Sequence, residues 1–218
     1  MKKIASLVLF AFSVATANSV LAADQGAYVG LGLGQAKHTP NSSDFDPTPL
    51  SYASRDTKVT AYKLFAGYQF NKYFGVEGAY TNLGKSQGTL NGRINGSAVS
   101  LHYDYEAYAV SLAAVGSLPI GGTGLSLIGK LGGTMNYANQ LAKAEPSLSL
   151  VAPAYNGYPK EHTNKPDLFF GAGLKYAFSD AVGLRLEYEN FGEFGGTGYT
   201  DTRRNKIDLL SVGVEYKF

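Results

Sequence analysis

The sequence predicts an all-β protein, an eight-stranded antiparallel up-and-down barrel that crosses a membrane. Three observations lead there. Apolar residues recur with period two over eight stretches, the spacing that gathers them on one face of a strand. The connections between those stretches alternate short and long, which puts every long one at the same end. The chain also ends on an alternating run that closes with Phe218. Composition agrees, because 16 Tyr, 12 Phe and 27 Gly in 218 residues suit strands and turns better than helices.

The first element is an export signal. Met1-Lys2-Lys3 is a short positive start, Ile4 to Ala17 is apolar apart from small residues, and Ser19 to Ala23 offers small residues for cleavage. Cutting after Ala22 or Ala23 separates a signal peptide, residues 1–22, from a barrel over 23–218. The apolar run is shorter than the ~20 residues a spanning helix needs. No later stretch approaches that length either, so a mature chain that crosses a membrane does so as a closed barrel, which satisfies every backbone group. Without Lys2 and Lys3 the chain carries 17 basic and 17 acidic residues. Neutrality and the lack of a basic run argue against nucleic acid as a partner. The absence of Cys excludes disulfides and thiolate metal sites.

Ala27 to Gly34 alternates Ala27, Val29, Leu31 and Leu33 with glycines. Tyr62 to Phe70 alternates Tyr62, Leu64, Ala66, Tyr68 and Phe70 with Lys63, Gly67 and Gln69, turns at Asn71-Lys72, and continues into Tyr73 to Leu83. A second hairpin joins Glu106–Leu118 to Leu125–Tyr137 through residues 119–124. Ala107 to Gly116 also fits a helix, but the closing Pro119 and the hairpin count favour a strand. A third hairpin joins Leu168–Phe178 to Val182–Phe191 through Ser179-Asp180, and Lys206–Phe218 is the last strand. The long connections are Lys37–Asp56, Gly84–Tyr103, Ala138–Pro166 and Gly192–Asn205, all rich in Gly, Asn, Ser, Thr and Pro.

Alternation alone does not say which face is inside, since a soluble barrel would keep its charges outside. The charged positions decide for a membrane. Lys63, Glu77, Lys130, Lys175, Arg185 and Glu187 lie mid-strand among Gly67, Gly75, Ala79, Gly132, Gly173 and Gly183, the mixture a narrow eight-strand interior accommodates. Five bases on that face (Lys63, Lys130, Lys175, Arg185, Lys217) meet four acids (Glu77, Glu187, Glu189, Glu215), close to the balance that buried charges require. Tyr28, Tyr68, Phe70, Tyr73, Phe74, Tyr137, Tyr176, Phe178, Tyr216 and Phe218 read as girdles at the membrane interfaces. Leu210, Val212, Val214, Tyr216 and Phe218 resemble the C-terminal signal read by the outer-membrane barrel assembly machinery.

With those residues in hand, the chain resembles the transmembrane barrel of the outer membrane protein A family over nearly its whole mature length. The likeness is sharpest at Ala27-Tyr-Val-Gly30, Ala66-Gly-Tyr-Gln-Phe70, Val76-Glu-Gly-Ala-Tyr80, Gly129-Lys-Leu-Gly-Gly133, Gly173-Leu-Lys-Tyr-Ala177, Leu184-Arg-Leu-Glu-Tyr188 and Leu210 to Phe218. The resemblance implies the outer membrane of a Gram-negative bacterium, with lipid and lipopolysaccharide as surroundings. It also implies an interior ion pair between Glu77 and Arg185 that blocks the lumen, with Lys130 at a further basic position. The family's second interior pair, a Lys on the fourth strand with a Glu on the sixth, has no counterpart. The fourth strand offers Ala114 or a neighbour and the sixth offers Lys175, which then needs Glu187 or another acid. The resemblance stops at the barrel, so attachment to peptidoglycan is not expected.

The function expected is structural, with an extracellular ligand taken through the long loops. The alternative is a narrow gated channel for ions or small solutes. An enzyme acting on membrane lipid would need a Ser/His/acid set; His38, His102 and His162 read instead as solvated loop residues. No cofactor or metal is expected.

Overall fold

A computed structural model describes residues 25–40, 50–55, 57–94, 97–144, 161–194 and 205–218. The signal segment, with Ala22 and Ala23, lies outside the described residues. Nine strands follow one another: β1 (Gly26–Pro40), β2 (Leu50–Arg55), β3 (Lys58–Gln69), β4 (Phe74–Ile94), β5 (Ser97–Pro119), β6 (Leu125–Ala144), β7 (Glu161–Ala177), β8 (Val182–Phe194) and β9 (Asn205–Lys217). All pairings are antiparallel. Eight strands close a ring in the order β1, β3, β4, β5, β6, β7, β8, β9 and back to β1. The ninth, β2, lies on the edge of β4 beyond β3, with Leu50 opposite Gly92 and Arg55 opposite Gly88. The fold is therefore a closed eight-stranded up-and-down barrel, with no helix among the described residues.

The turns at one end are short because side chains close them locally. Asn71 Oδ1 accepts the amides of Tyr73 and Phe74 at 2.8 and 3.0 Å. Ser179 Oγ accepts those of Ala181 and Val182 at 3.3 and 3.1 Å, and the turn after β5 uses Gly121 and Gly124 at positive φ. Residues 107–116 are strand, and their facing is now fixed: Ala107, Ala109, Ser111, Ala113 and Val115 point inward and are buried. Ala114 faces outward.

At the opposite end the strands run much further than period two indicates. Gly84–Tyr103 was expected as a loop, but β4 and β5 stay paired up to Ile94 and Ser97. β6 continues to Ala144 and β7 begins at Glu161, so most of the region around the Ala138–Pro166 connection's ends is strand as well. β1 reaches Pro40, β2 occupies part of the Lys37–Asp56 stretch, and β8 passes Gly192 to Phe194. The physical reason is that the outward face there meets water, while the inward face is filled by polar and small residues as well as apolar ones, His38, Ser86, Ala138, Thr163 and Phe194 among them. Neither face needs an apolar alternation, so the pattern disappears while the backbone pairing continues.

Outward side chains form the lipid-facing stripe: Leu31 and Leu33 on β1, Leu64 on β3, Leu112 on β5, Leu131 on β6, Leu186 on β8, and Leu210, Val212 and Val214 on β9 are all exposed. From Leu210 to Phe218, at ~3.3 Å per residue and ~40° of tilt, the stripe is roughly 20 Å tall, near the ~25 Å of an outer-membrane barrel. Tyr68, Phe70, Tyr73, Phe74, Tyr176, Phe178, Tyr216 and Phe218 ring its short-turn edge, all exposed. Tyr137 belongs to a second belt at the far edge, stacked on Tyr108 at 4.8 Å with Tyr80 alongside. Tyr28 belongs to neither. It faces the interior, 3% exposed, because β1 turns its even-numbered residues inward.

Candidate functional site

The interior holds two stacked regions. The one nearer the short turns is charged. Glu77 enters from β4, Lys63 from β3, Lys130 from β6, Lys175 from β7, Arg185, Glu187 and Glu189 from β8, and Glu215 from β9. Arg185 reaches Glu77 and Glu187 at 2.7 Å each and Glu215 at 3.0 Å. Lys63 meets Glu187 at 2.5 Å and Glu189 at 2.8 Å. Lys130 Nζ lies 2.6, 2.5 and 2.8 Å from Glu77, Glu187 and Glu189. Lys175 pairs with Glu215 on β9, so of the acids open to it the partner is not Glu187. Lys217 follows on the same face, partly buried at the mouth.

The eight side chains joined by these ion pairs are four bases and four acids. Three of the carboxylates, Glu77, Glu187 and Glu189, bring oxygens within 4.8 Å of one another, a spacing that suits a cation. The Lys130 ammonium bonds all three and supplies that charge itself.

Aromatic faces complete the region. Phe65 lies under Arg185 at 4.6 Å and Lys63 at 5.2 Å, and Tyr28 donates its hydroxyl to Glu77 at 3.1 Å. Both rings need glycine opposite them. A Cβ on Gly30 would sit 2.2 Å from the Phe65 ring, and one on Gly67 2.4 Å from the Tyr28 ring. The small residues of this face thus make room for rings as well as for long charged chains.

The region nearer the long connections is apolar. Leu83, Tyr105, Phe169, Phe191, Phe194, Ile207 and Leu209 pack inside the barrel with Ala36, Ala61, Ala107, Ala109 and Ala138. Phe169 and Phe191 meet at 5.1 Å. His38, expected as a solvated loop residue, is buried against this cluster. Its Nε2 lies 3.0 Å from the Leu83 carbonyl and its ring stands edge-on to Tyr105. His102 and His162 fall in β5 and β7, and their side chains lie outside the described residues.

Leu83, Phe191 and Phe194 do not stand out in the sequence, and two β-bulges explain why. β4 shifts register between Asn82 and Lys85, and β8 between Asn190 and Glu193. Each bulge is built by the same Asn-x-Gly pattern, Asn82-Leu83-Gly84 and Asn190-Phe191-Gly192. In each the glycine has positive φ, and its amide donates to the Asn side chain, at 2.9 and 3.0 Å. The extra residue reverses the alternation, so Leu83 and Ser86 both face inward, as do Phe191 and Phe194. The two strands are four apart in the ring of eight, on opposite sides of the barrel. Asn136 braces the β8 bulge by donating to the Phe191 and Glu193 carbonyls at 2.6 and 3.2 Å. The repeated Asn-x-Gly near the end of an alternating run is the signal that could have located them.

Comparison with known proteins agrees with this architecture. Residues 22–218 match the family described as the OmpA-like transmembrane domain. Outer membrane protein A of Shigella flexneri is 29% identical over the whole chain, and that of Salmonella typhi 28%. The chain spans 56% of the length of each of these relatives. Among solved structures, Neisserial surface protein A aligns with a TM-score of 0.54 at 18% identity, covering 88% of this chain and 97% of that one. OprG of Pseudomonas aeruginosa aligns with a TM-score of 0.54 at 14% identity, covering 89% and 97%. The chain thus belongs to the OmpA-like transmembrane domain family, as a β-barrel of the Gram-negative outer membrane.

Proposed function

We propose that the protein is a non-conducting barrel whose role is structural and whose contacts with the surroundings are made by its long-connection end. The observation that carries this reading is the filled interior, a neutral network of paired charges capped by a buried apolar cluster. In this reading Glu77 and Arg185, with Lys63, Lys130, Lys175, Glu187, Glu189 and Glu215, hold the short-turn half shut. An eight-stranded interior is about filled by side chains of that size. The paired extensions of β4, β5, β6 and β7 stand clear of the apolar stripe and offer the surface for an extracellular ligand. Leu210, Val212, Val214, Tyr216 and Phe218 serve as the signal to the assembly machinery. Lipid and lipopolysaccharide surround the barrel. Relatives named for the outer membrane rather than for a reaction fit a protein that is not an enzyme.

The test is the conductance of the refolded protein in planar bilayers. Silence supports the reading, and a steady unit current defeats it. A narrow gated channel is the second reading. It is favoured by one detail, that Arg185 already reaches three glutamates and could exchange among them. Brief current steps whose frequency changes with Arg185→Lys would bring it forward.

A further inference from the structure

The two bulges belong to a longer repeat. Residues 67–85 and 175–193 align without a gap, with Gly75, Tyr80, Asn82 and Gly84 recurring as Gly183, Tyr188, Asn190 and Gly192. The first run crosses the β3–β4 turn and the second the β7–β8 turn, four places away in the ring of eight. The strands before them follow the same relation: Gly32 of β1 stands opposite Lys63 as Lys130 of β6 stands opposite Gly171. The barrel is thus two equivalent halves about a two-fold axis through the lumen. Equivalent interior positions hold complementary side chains. Glu77 answers Arg185, Gly32 answers Lys130 and Ala61 answers Phe169, so two halves of one plan fill a single interior.

The repeat also fixes where the wall is weakest. β3 and β4 pair from Gln69–Gly75 to Tyr62–Asn82, and β7 and β8 from Ala177–Gly183 to Phe170–Asn190. Both ladders stop at the same place in the repeat, at the bulge, although β3 extends to Lys58 and β7 to Glu161. Beyond each stop no ladder joins the two strands among the described residues. Side chains from the interior bridge both gaps. His38 of β1 and Asn136 of β6 occupy equivalent places, each 2% exposed. His38 Nε2 donates to the Leu83 carbonyl at 3.0 Å, and Asn136 Nδ2 donates to the Phe191 carbonyl at 2.6 Å, the same bulge residue in each half. On the β7–β8 side Asp167 also accepts the Glu193 amide at 2.8 Å. The β5–β6 pair, by contrast, is laddered without a break from Pro119–Ser126 to Leu101–Ala144.

We propose that the long-connection end of the barrel wall opens at these two seams, and that His38 and Asn136 are the latches that hold them shut. Opening there breaks side-chain bonds but no ladder bond, so it takes less than parting a laddered pair at the same level. An open seam brings Phe169 and Phe191 on one side of the barrel, or Val59 and Leu83 on the other, to the surroundings. The charged half beneath stays laddered all round. Because the seams lie on opposite sides of the ring, each latch releases its own seam and not the other. The inference rests on strand register and is independent of whether the lumen conducts.

The test is peptide-resolved hydrogen–deuterium exchange of the full barrel refolded in phosphatidylcholine vesicles. In wild type, residues 83–87 and 191–194 are expected to exchange faster than residues 107–110 of the unbroken β5–β6 pair. Asn136→Ala is expected to speed exchange about tenfold at 191–194 and to leave 83–87 unchanged, since it removes hydrogen bonds from one seam alone. His38→Ala is expected to do the reverse. His38→Asn, which places in β1 the side chain that serves the equivalent position of β6, is expected to keep 83–87 protected. The heat-sensitive gel mobility of folded barrels shows which variants have folded, and the wild-type comparison with His38→Asn decides the matter even if an alanine variant does not. Protection at both seams equal to that at 107–110 overturns the proposal. So does faster exchange throughout the barrel in either alanine variant, or loss of protection at 83–87 in His38→Asn.

Discussion

The two halves of the interior are filled by opposite chemistries, and the difference determines how each can fail. In the half near the short turns, eight charged side chains hold one another. Arg185 alone contacts Glu77, Glu187 and Glu215, so its removal strands several acids at once. Burying such charges is offset only while the set is complete. In the half near the long connections, Phe169, Phe191, Phe194, Leu83, Ile207 and Leu209 are held by contact and by exclusion of water. Loss of one ring there leaves a cavity but no orphaned charge. The charged half is thus cooperative and brittle, and the apolar half is graded.

The largest expected effect is on the charged side. Arg185→Ala should lower unfolding stability by about 3–5 kcal/mol, the cost of breaking a buried pair by removing one partner. Urea unfolding in vesicles measures it, and a loss under 1 kcal/mol would mean that water already screens the network. Combining Arg185→Met with Glu77→Gln should restore much of what either single change loses. Phe169→Ala should cost about 3 kcal/mol by opening a cavity beside Phe191. Added to Arg185→Ala its effect should be additive to within about 0.5 kcal/mol, whereas strong coupling between them would merge the two regions into one.

Smaller effects sharpen the boundary between the halves. Gly192→Ala should cost about 1–2 kcal/mol, since φ is +69° and an added Cβ would lie 2.5 Å from the Asp167 side chain. Tyr28→Phe removes only the hydroxyl that Glu77 accepts and should cost about 1–2 kcal/mol, with Arg185 still holding that carboxylate. Both are read from the same urea curves. A neutral Gly192→Ala would show that the bulge can relax without releasing Phe191.

The charged half was largely legible in the sequence and the apolar half was not. Mid-strand Lys63, Glu77, Lys130 and Arg185 interrupt an apolar alternation, and charge in such a position has few places to go but inward. Leu83, Phe191 and Phe194 offer no such contrast. Their apolar character fits either face, and the bulges at Gly84 and Gly192 move them out of the phase set by the rest of the strand. Tyr28 reads as an interface aromatic for the same reason, because a tyrosine that shares its face with Gly26 and Gly30 suits a lumen or a girdle equally. The extensions of β4 to β7 were hidden because their outward face meets water and their buried face mixes polar with apolar residues, such as Ser86 and Thr163 with Tyr105 and Ala138, which leaves no period-two signature.

The most direct test of this account is a comparison of four barrels in planar bilayers: wild type, Arg185→Ala, Phe169→Ala/Phe191→Ala, and all three changes together. If the interior is sealed twice, the first three stay silent or flicker weakly, and only the combined variant carries a steady current. A steady current from Arg185→Ala alone would contradict the account, because the apolar half would then not be a seal.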